Sequence, residues 1–152
     1  WNRVEPMNEI LFLCSGNYYR SRFAEAVFNH EAARTGLPWR AFSRGLAIWM
    51  VEGDLSPWTA MAMNRRGIAR TMTGATRVAV AEHDLQRAHR VIALKEAEHR
   101  PMMREQFPHW EQRVEYWTVH DLDAATPDEA LPAIEEKVLA LVRSFAAESR
   151  DA

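Results

Sequence analysis

Cysteine is almost absent from this chain, because Cys14 is the only one among its 152 residues. A single cysteine excludes a disulfide within the chain and fits a reducing compartment such as the cytoplasm, where we expect the protein to reside. Cys14 is therefore either a small buried side chain or a reactive thiol.

Long apolar runs and an excess of one charge are missing as well. No hydrophobic segment approaches the roughly 18 residues of a membrane-spanning helix, and the first residues lack the pattern of a secretory signal. The net charge of −2 argues against general binding to nucleic acid or to a membrane surface. The six histidines show no metal-ligand spacing, so we interpret them as surface or packing residues and expect no metal or other cofactor.

The remaining composition is that of an ordinary globular protein, with 47% hydrophobic and 26% charged residues. The length suffices for one hydrophobic core, and the chain contains no repeat, low-complexity segment or long linker. We therefore expect a single domain over residues 1–152, in which residues 1–6 form an added or flexible leader before Met7.

Strand-like and helix-like segments alternate along the chain, which predicts an α/β fold: a doubly wound, flavodoxin-like parallel sheet of about four strands with helices on both faces. Pro57 in a first helical turn, Gly36 and Gly67 as stops, and Thr126 to Glu129 as a capping box mark helix ends. Strands are expected near residues 9–13, 40–43, 91–94 and 114–117, and helices near 21–35, 56–67, 96–105 and from 126 onward.

The most informative segment joins the first strand to the first helix. Cys14 ends the strand, Arg20 and Ser21 open the helix, and Gly16 and Asn17 allow unusual backbone angles between them. A helix N-terminus binds anions and favours a thiolate over a thiol, so this turn can hold a phosphate-sized ion above the sulfur. The helix is expected to be amphipathic, with one face formed by Phe23, Ala26, Val27 and His30.

This segment resembles the signature of the low-molecular-weight protein tyrosine phosphatase family, an apolar strand followed by Cys-x-Gly-Asn-x-x-Arg-Ser and a helix with Ala-Glu. Ser43-Arg44-Gly45, Gly67-Ile68 and residues 117–121 resemble later family segments, so the resemblance covers nearly the whole chain. It implies a phosphotyrosine phosphatase I-like fold, no cofactor, a phosphorylated protein as substrate, and phosphate or another oxyanion as active-site ligand.

The resemblance also implies a role for each site residue. Cys14 becomes the nucleophile that forms a phosphocysteine, Arg20 clamps the phosphoryl oxygens, and Asp121 acts as general acid and then as general base. The phosphate-binding loop then consists of Ser15, Gly16, Asn17, Tyr18, Tyr19, Arg20 and Ser21.

Supporting roles follow from the same comparison. Asn17 is expected to hold a strained loop conformation and to bond to Ser43, which braces the loop. Ser21 is expected both to cap the first helix and to donate to the Cys14 sulfur. Tyr18 and Trp49 are candidate aromatic walls of the cleft, although ordinary core packing explains Trp49 equally well.

The chain departs from the family pattern at three places. The family usually has Asp-Pro, whereas Leu122 follows Asp121 here, which leaves Asp123 as a rival acid. Tyr18 replaces an isoleucine or threonine associated with phosphotyrosine or phosphoarginine substrates, so either substrate class stays open. Tyr19 replaces a second cysteine, which excludes protection of an oxidised Cys14 by an internal disulfide.

Two other functions remain as alternatives. A drifted, non-catalytic or weakly active phospho-binding relative would explain the unusual loop residues, although binding alone does not require a thiol. An arsenate reductase would need an external thiol, because the chain lacks the two further cysteines that resolve the intermediate in thioredoxin-coupled enzymes. The intact pair of Cys14 and Arg20 favours the phosphatase.

Overall fold

A four-stranded parallel sheet organises residues 7–151, the part of the chain that this computed structural model describes. Its strands lie in the order β2-β1-β3-β4, which confirms the predicted parallel α/β sheet. The predicted leader at residues 1–6 lies outside the described residues. The strands are β1 Asn8–Cys14, β2 Trp39–Gly45, β3 Arg90–Ala93 and β4 Glu115–Tyr116.

Helices cover both faces of this sheet, as the alternating pattern predicted. β1 separates the two cores, since Ile10 and Phe12 belong to one buried cluster while Leu11 and Leu13 belong to the other. This two-sided burial explains why β1 is apolar without alternation. The helices are α1 Arg20–Thr35, α2 Pro57–Arg65, α3 Glu82–Arg87, α4 Glu96–Gln106 and α5 Pro127–Asp151.

The two faces differ in which helices they use. Residues of α1, α2 and α5 pack with Phe12 on the first face, and Phe145 of α5 stacks on Trp39 with ring centroids 4.2 Å apart. Leu85 of α3 and Met103 of α4 pack on the second face. The short helix α3 was not predicted, because six residues carry too little periodicity.

The first helix differs from the expectation in two respects. It begins at Arg20, and Ser21 does not cap it, because the Ser21 hydroxyl bonds to side chains of the preceding loop instead. Its first half is also buried all round rather than amphipathic, with Arg22 and Glu25 almost fully enclosed and His30 only half-buried. Hydrogen bonds to the enclosed polar groups make this burial tolerable.

The free edge of β2 is closed by a side chain. The Asn29 amide of α1 donates to the Ala41 carbonyl at 3.0 Å and accepts from the Ala41 N–H at 2.8 Å. The same amide nitrogen donates to the Met72 carbonyl, so Asn29 ties α1 to the edge strand and to the loop beyond it.

Parallel strands bring the functional loops together, because all carboxyl ends of a parallel sheet lie at one edge. Cys14 is the last residue of β1, and the loop after β4 begins beside it: Val119 N–H donates to the carbonyl of Leu94 just beyond β3 at 2.8 Å. None of the helices within residues 7–151 has the length and apolar character needed to cross a bilayer.

The end of α1 gives a test of the fold. Gly36 has φ +69°, which a side chain disfavours, so we expect Gly36→Ala to lower the free energy of unfolding by about 1 kcal/mol. Gly74→Ala is the matched control, because Gly74 has no positive φ and the nearest atom to an added Cβ is 3.7 Å away. Urea unfolding measures the stability of both variants. Equal losses of stability would contradict the conclusion that the positive φ of Gly36 disfavours a side chain.

Candidate active site

Cys14 lies at the base of a pocket at the carboxyl edge of the sheet. Only 2% of the residue is exposed, and it forms part of the lining of this pocket. The topology therefore brings together the predicted nucleophile and both candidate acids. The pocket is lined by Cys14, Gly16, Tyr18, Tyr19, Arg20, Val51, Asp121, Leu122 and Asp123.

The loop between β1 and α1 offers a set of free backbone donors. Within residues 7–151, no backbone N–H of Ser15–Tyr19 donates to a protein acceptor. Asn17 has φ +49°, a left-handed conformation that agrees with the unusual backbone angle expected for it, and it is the only non-glycine residue with positive φ in the described chain. Consecutive free N–H groups in such a loop, continued by a helix N-terminus, form an anion-binding cradle.

Hydrogen-bond directions identify what faces the sulfur. Val78 N–H donates to Asn17 Oδ1 at 2.8 Å, so the other amide atom, Asn17 Nδ2, is the donor to Ser21 Oγ at 3.1 Å. Because Ser21 Oγ accepts that bond, its own proton is free for Cys14 Sγ, which is 2.9 Å away. A hydroxyl that donates to the sulfur stabilises the thiolate over the thiol.

The Asn17 amide also connects the loop to a buried hydrogen-bond network on the side away from the sulfur. Asn17 Nδ2 also donates to Ser43 Oγ at 3.0 Å, the contact predicted from the sequence. Ser43 in turn donates to Glu25 Oε1 at 2.7 Å, and Thr73 donates to the same oxygen at 2.6 Å. Burial raises the pKa of Glu25 despite these bonds. Sequence reasoning gave Glu25 no role beyond its place in the signature.

Arg20 lies beside the pocket, fully buried except for 2% of its surface. Its guanidinium donates to the Val119 carbonyl at 3.0 Å and to Glu98 Oε2 at 2.7 Å. Asp121 Oδ2 is 3.4 Å from the same Nη2 atom. These contacts leave the Arg20 Nε and further N–H groups available for an oxyanion.

The loop after β4 brings the candidate acids to the pocket. The Asp121 carbonyl accepts from the N–H groups of Ala124 and Ala125, and Asp121 Oδ1 accepts from Leu122 N–H at 2.9 Å. These bonds fix the turn so that the other carboxylate oxygen faces Arg20. Asp123 also lines the pocket, yet it forms no ion pair with Arg20 in the described structure.

Comparison with known proteins identifies the family. The model of the family described as low molecular weight phosphotyrosine protein phosphatase matches residues 9–148. The chain belongs to this family. Its members are cysteine-dependent hydrolases, so the resemblance drawn from the Cys14 segment is confirmed.

Individual relatives agree with the family assignment. The chain is 34% identical over 90 residues to the low molecular weight protein-tyrosine-phosphatase YfkJ of Bacillus subtilis, an alignment that covers 58% of this chain and 56% of YfkJ. A Schizosaccharomyces pombe low molecular weight phosphotyrosine protein phosphatase is 38% identical over 63 residues, 40% of each chain. The crystal structure of YfkJ superposes with a TM-score of 0.81 at 26% identity and covers 97% of this chain and 99% of that one.

Helix α4 supplies a carboxylate to the phosphatase loop that the sequence did not predict. Glu98 accepts hydrogen bonds from Ser15 at the start of the loop and from Arg20 at its end. Although burial opposes ionisation, bonds from His99, Arg20 and Ser15 hold the pKa of Glu98 far below its usual range. Glu98 therefore carries a fixed negative charge that joins both ends of the loop to α4.

His99 was interpreted as a surface or packing residue, and the contacts show a polar role instead. It is fully buried, and its Nδ1 accepts from Lys95 N–H at 3.0 Å, so Nε2 carries the proton. Nε2 lies 3.2 Å from Ser15 Oγ and 3.0 Å from Glu98 Oε2. Burial lowers the pKa of His99, and the neutral ring acts as a donor that fixes Glu98 and Ser15.

The aromatic candidates occupy different positions around the phosphatase pocket. Tyr18 lines it, with its ring 3.4 Å from the place that a Cβ on Gly53 would take. Trp49 is 76% exposed on the 3-10 turn Ile48–Met50, so the alternative of core packing is wrong. Val51, two residues further on, contributes to the lining where Trp49 does not.

Tyr19 takes the place of the second cysteine with a buried phenol. Its hydroxyl has no hydrogen-bond partner within the described residues, and only 5% of the residue is exposed. Burial, with a further contribution from the nearby Asp121 carboxylate, raises the pKa of Tyr19 to about 12. The phenol therefore stays neutral at physiological pH.

Tyr19→Phe tests this buried hydroxyl. Removing an unpartnered polar group should raise the free energy of unfolding at pH 8 by about 1 kcal/mol. Because the folded pKa of Tyr19 lies above the usual value near 10, the wild type should lose stability relative to Tyr19→Phe as pH rises from about 10 to 12. Urea unfolding at several pH values measures both effects.

The matched control for this variant is Tyr116→Phe. Tyr116 donates its hydroxyl to the Glu111 carbonyl at 2.8 Å, so the control should be less stable than wild type at pH 8. A loss of stability in Tyr19→Phe of the same size would show that its hydroxyl has a partner after all.

Glu98→Gln tests the carboxylate beside Arg20. Loss of the charged partner should leave Arg20 less well oriented and lower kcat about tenfold, while inorganic phosphate binds more tightly because a negative charge is gone. Glu96→Gln is the control, since Glu96 lies in the same helical turn but pairs with Arg100 at the surface. Steady-state kinetics with phosphate as inhibitor measures both, and unchanged values in Glu98→Gln would contradict the role.

Proposed function

We propose that this protein hydrolyses phosphomonoesters, with phosphotyrosine in a protein as the natural substrate, through a phosphocysteine intermediate on Cys14. One observation carries the proposal: the Cys14 sulfur lies at the base of a pocket whose loop N–H groups are free, with Arg20 and Asp121 at its side. That arrangement supplies a nucleophile, an oxyanion site and a proton source without a metal ion.

In the first step the Cys14 thiolate attacks phosphorus. The S–P bond forms while the bond between phosphorus and the leaving oxygen breaks. Arg20 and the free N–H groups of the loop stabilise the charge on the oxygens of the transferred phosphoryl group. Before the attack, the Ser21 hydroxyl donates to the Cys14 sulfur and stabilises the thiolate. Asp121 gives its proton to the leaving oxygen.

In the second step water displaces sulfur. Asp121, now a carboxylate, takes a proton from the attacking water, the S–P bond breaks, and inorganic phosphate leaves. The short distance from Arg20 to Asp121 supports Asp121 over Asp123 as the acid, because a carboxylate held at 3.4 Å from the clamp also lies close to the bound phosphoryl group.

The pocket walls favour an aromatic phosphomonoester. Tyr18, Val51 and Leu122 present apolar surface beside the sulfur, and a flat phenyl ring packs well against a second aromatic ring. The partner is then a phosphorylated protein, and phosphate or another oxyanion is the active-site ligand. Since Cys14 must stay reduced, we propose the cytoplasm as its location.

Hydrolysis of para-nitrophenyl phosphate from pH 5 to 8, with a chelator present, tests the proposal. Cys14→Ser should abolish turnover because the nucleophile is gone, while Asp121→Asn should lower kcat by about a hundredfold or more through loss of the acid. Asp123→Asn is the matched control and should stay near wild type. Phosphotyrosine and phosphoarginine peptides, tested side by side, determine the substrate class.

Three outcomes would contradict parts of the proposal. Absence of turnover in the folded, reduced wild type, together with phosphopeptide binding, would favour the non-catalytic alternative. A larger loss of kcat in Asp123→Asn than in Asp121→Asn would assign the role of general acid to Asp123. Arsenate reduction dependent on an added thiol, without phosphatase turnover, would favour the reductase.

A further inference from the structure

Arg77 joins three segments behind the phosphate-binding loop. Its Nη1 donates to the Gly16 carbonyl at 3.2 Å and to the Ile48 carbonyl at 2.7 Å. Its Nε donates to the Gly53 carbonyl at 2.7 Å. One half-buried guanidinium therefore holds the loop against the segment that carries Val51 into the pocket.

Arg22 makes similar contacts to the same two segments, each to the carbonyl of the residue that follows the one held by Arg77. Its Nη1 donates to the Asn17 carbonyl at 3.4 Å and to the Asp54 carbonyl at 3.1 Å. Its Nε donates to Thr73 Oγ1 at 2.7 Å, which ties it to the Glu25 network. Two arginines thus hold consecutive carbonyls in the loop, at residues 16 and 17, and consecutive carbonyls in the wall, at residues 53 and 54.

The planar trans peptide gives these contacts a consequence for the loop N–H groups. Each carbonyl points opposite to the N–H of the next residue, so fixing the Gly16 carbonyl fixes the direction of Asn17 N–H. Fixing the Asn17 carbonyl likewise fixes Tyr18 N–H. Both N–H groups belong to the set that donates to no protein acceptor within residues 7–151. The guanidiniums therefore lie on the side opposite to the free donors.

We propose that Arg22 and Arg77 are positioning residues that orient the free N–H groups of the phosphate-binding loop toward the oxyanion and fix the pocket wall relative to that loop. Neither side chain lines the pocket, so each acts through the peptides it holds. The proposal rests on the proposed function only in that the loop binds an oxyanion.

Arg77 is the residue to vary, because Arg22 is completely buried and its loss would leave several enclosed acceptors unpaired. Arg77→Ala should raise the dissociation constant of inorganic phosphate about tenfold, measured by titration calorimetry on the reduced full chain. Arg77→Lys should bind phosphate almost as weakly as Arg77→Ala, because an ammonium keeps the charge but cannot reproduce the planar guanidinium that spans three carbonyls.

The control is Arg66→Ala. Arg66 is also half-buried and donates to a backbone carbonyl, that of Ala62, and its ion pair is with Glu135 of α5 rather than with the phosphate loop or residues 48–54. It should leave phosphate affinity at the wild-type value even if its melting temperature falls as far as that of Arg77→Ala. Kinetics adds a second readout: Arg77→Ala should raise KM more than it lowers kcat.

Several results would overturn the proposal. Wild-type phosphate affinity in a folded Arg77→Ala, full rescue by Arg77→Lys, or an equal loss of phosphate affinity in Arg66→Ala would each do so. Failure of the folded wild type to bind phosphate would overturn both this proposal and the proposed function. Phosphate binding without turnover would overturn the proposed function alone. In that case, a tenfold higher dissociation constant of phosphate in Arg77→Ala would still support the positioning role.

Discussion

The site depends on keeping the backbone N–H groups of Ser15–Tyr19 free of acceptors from residues 7–151, the described part of the chain. Unpaired donors are costly in a folded chain, so the surroundings must hold this loop open by other bonds. They do so through its remaining polar atoms. The Asn17 amide binds Ser21, Ser43 and Val78. Each backbone carbonyl of the loop also accepts a hydrogen bond, and the two at positions 16 and 17 accept from guanidiniums.

The charged groups beside the phosphate-binding loop are paired, as its hydrogen-bonding groups are. Arg20 brings the positive charge that an oxyanion needs, yet Glu98 and Asp121 both lie within 3.4 Å of its guanidinium. The fixed carboxylate of Glu98 stabilises the buried Arg20 when the pocket holds no anion, since an unpaired buried charge would be costly. We expect the same carboxylate to weaken the binding of an oxyanion beside Arg20, because like charges repel.

Sequence reasoning reached the features that depend on local pattern and missed those that depend on tertiary contact. The alternation of strands and helices, the unusual backbone angle of Asn17 and the Asn17–Ser43 bond followed from periodicity, residue type and the family signature. Glu98 and His99 lie about 80 residues from the loop in an ordinary polar helix, and no local pattern marks them. At Ser21 the predicted bond to the Cys14 sulfur is present, but the predicted helix cap is not, because the hydroxyl bonds to Cys14 and Asn17 in the preceding loop rather than to a backbone N–H of α1.

Asn29 has a consequence for the molecule as a whole. An exposed edge strand offers a row of backbone groups to which a strand of another chain can add, the first step of edge-to-edge assembly. By pairing with both the N–H and the carbonyl of Ala41, the Asn29 amide occupies the position that an incoming strand would take. Further along the same strand, Gly45 bonds to the Val78 carbonyl and the Val80 N–H, so a second contact covers this side of β2.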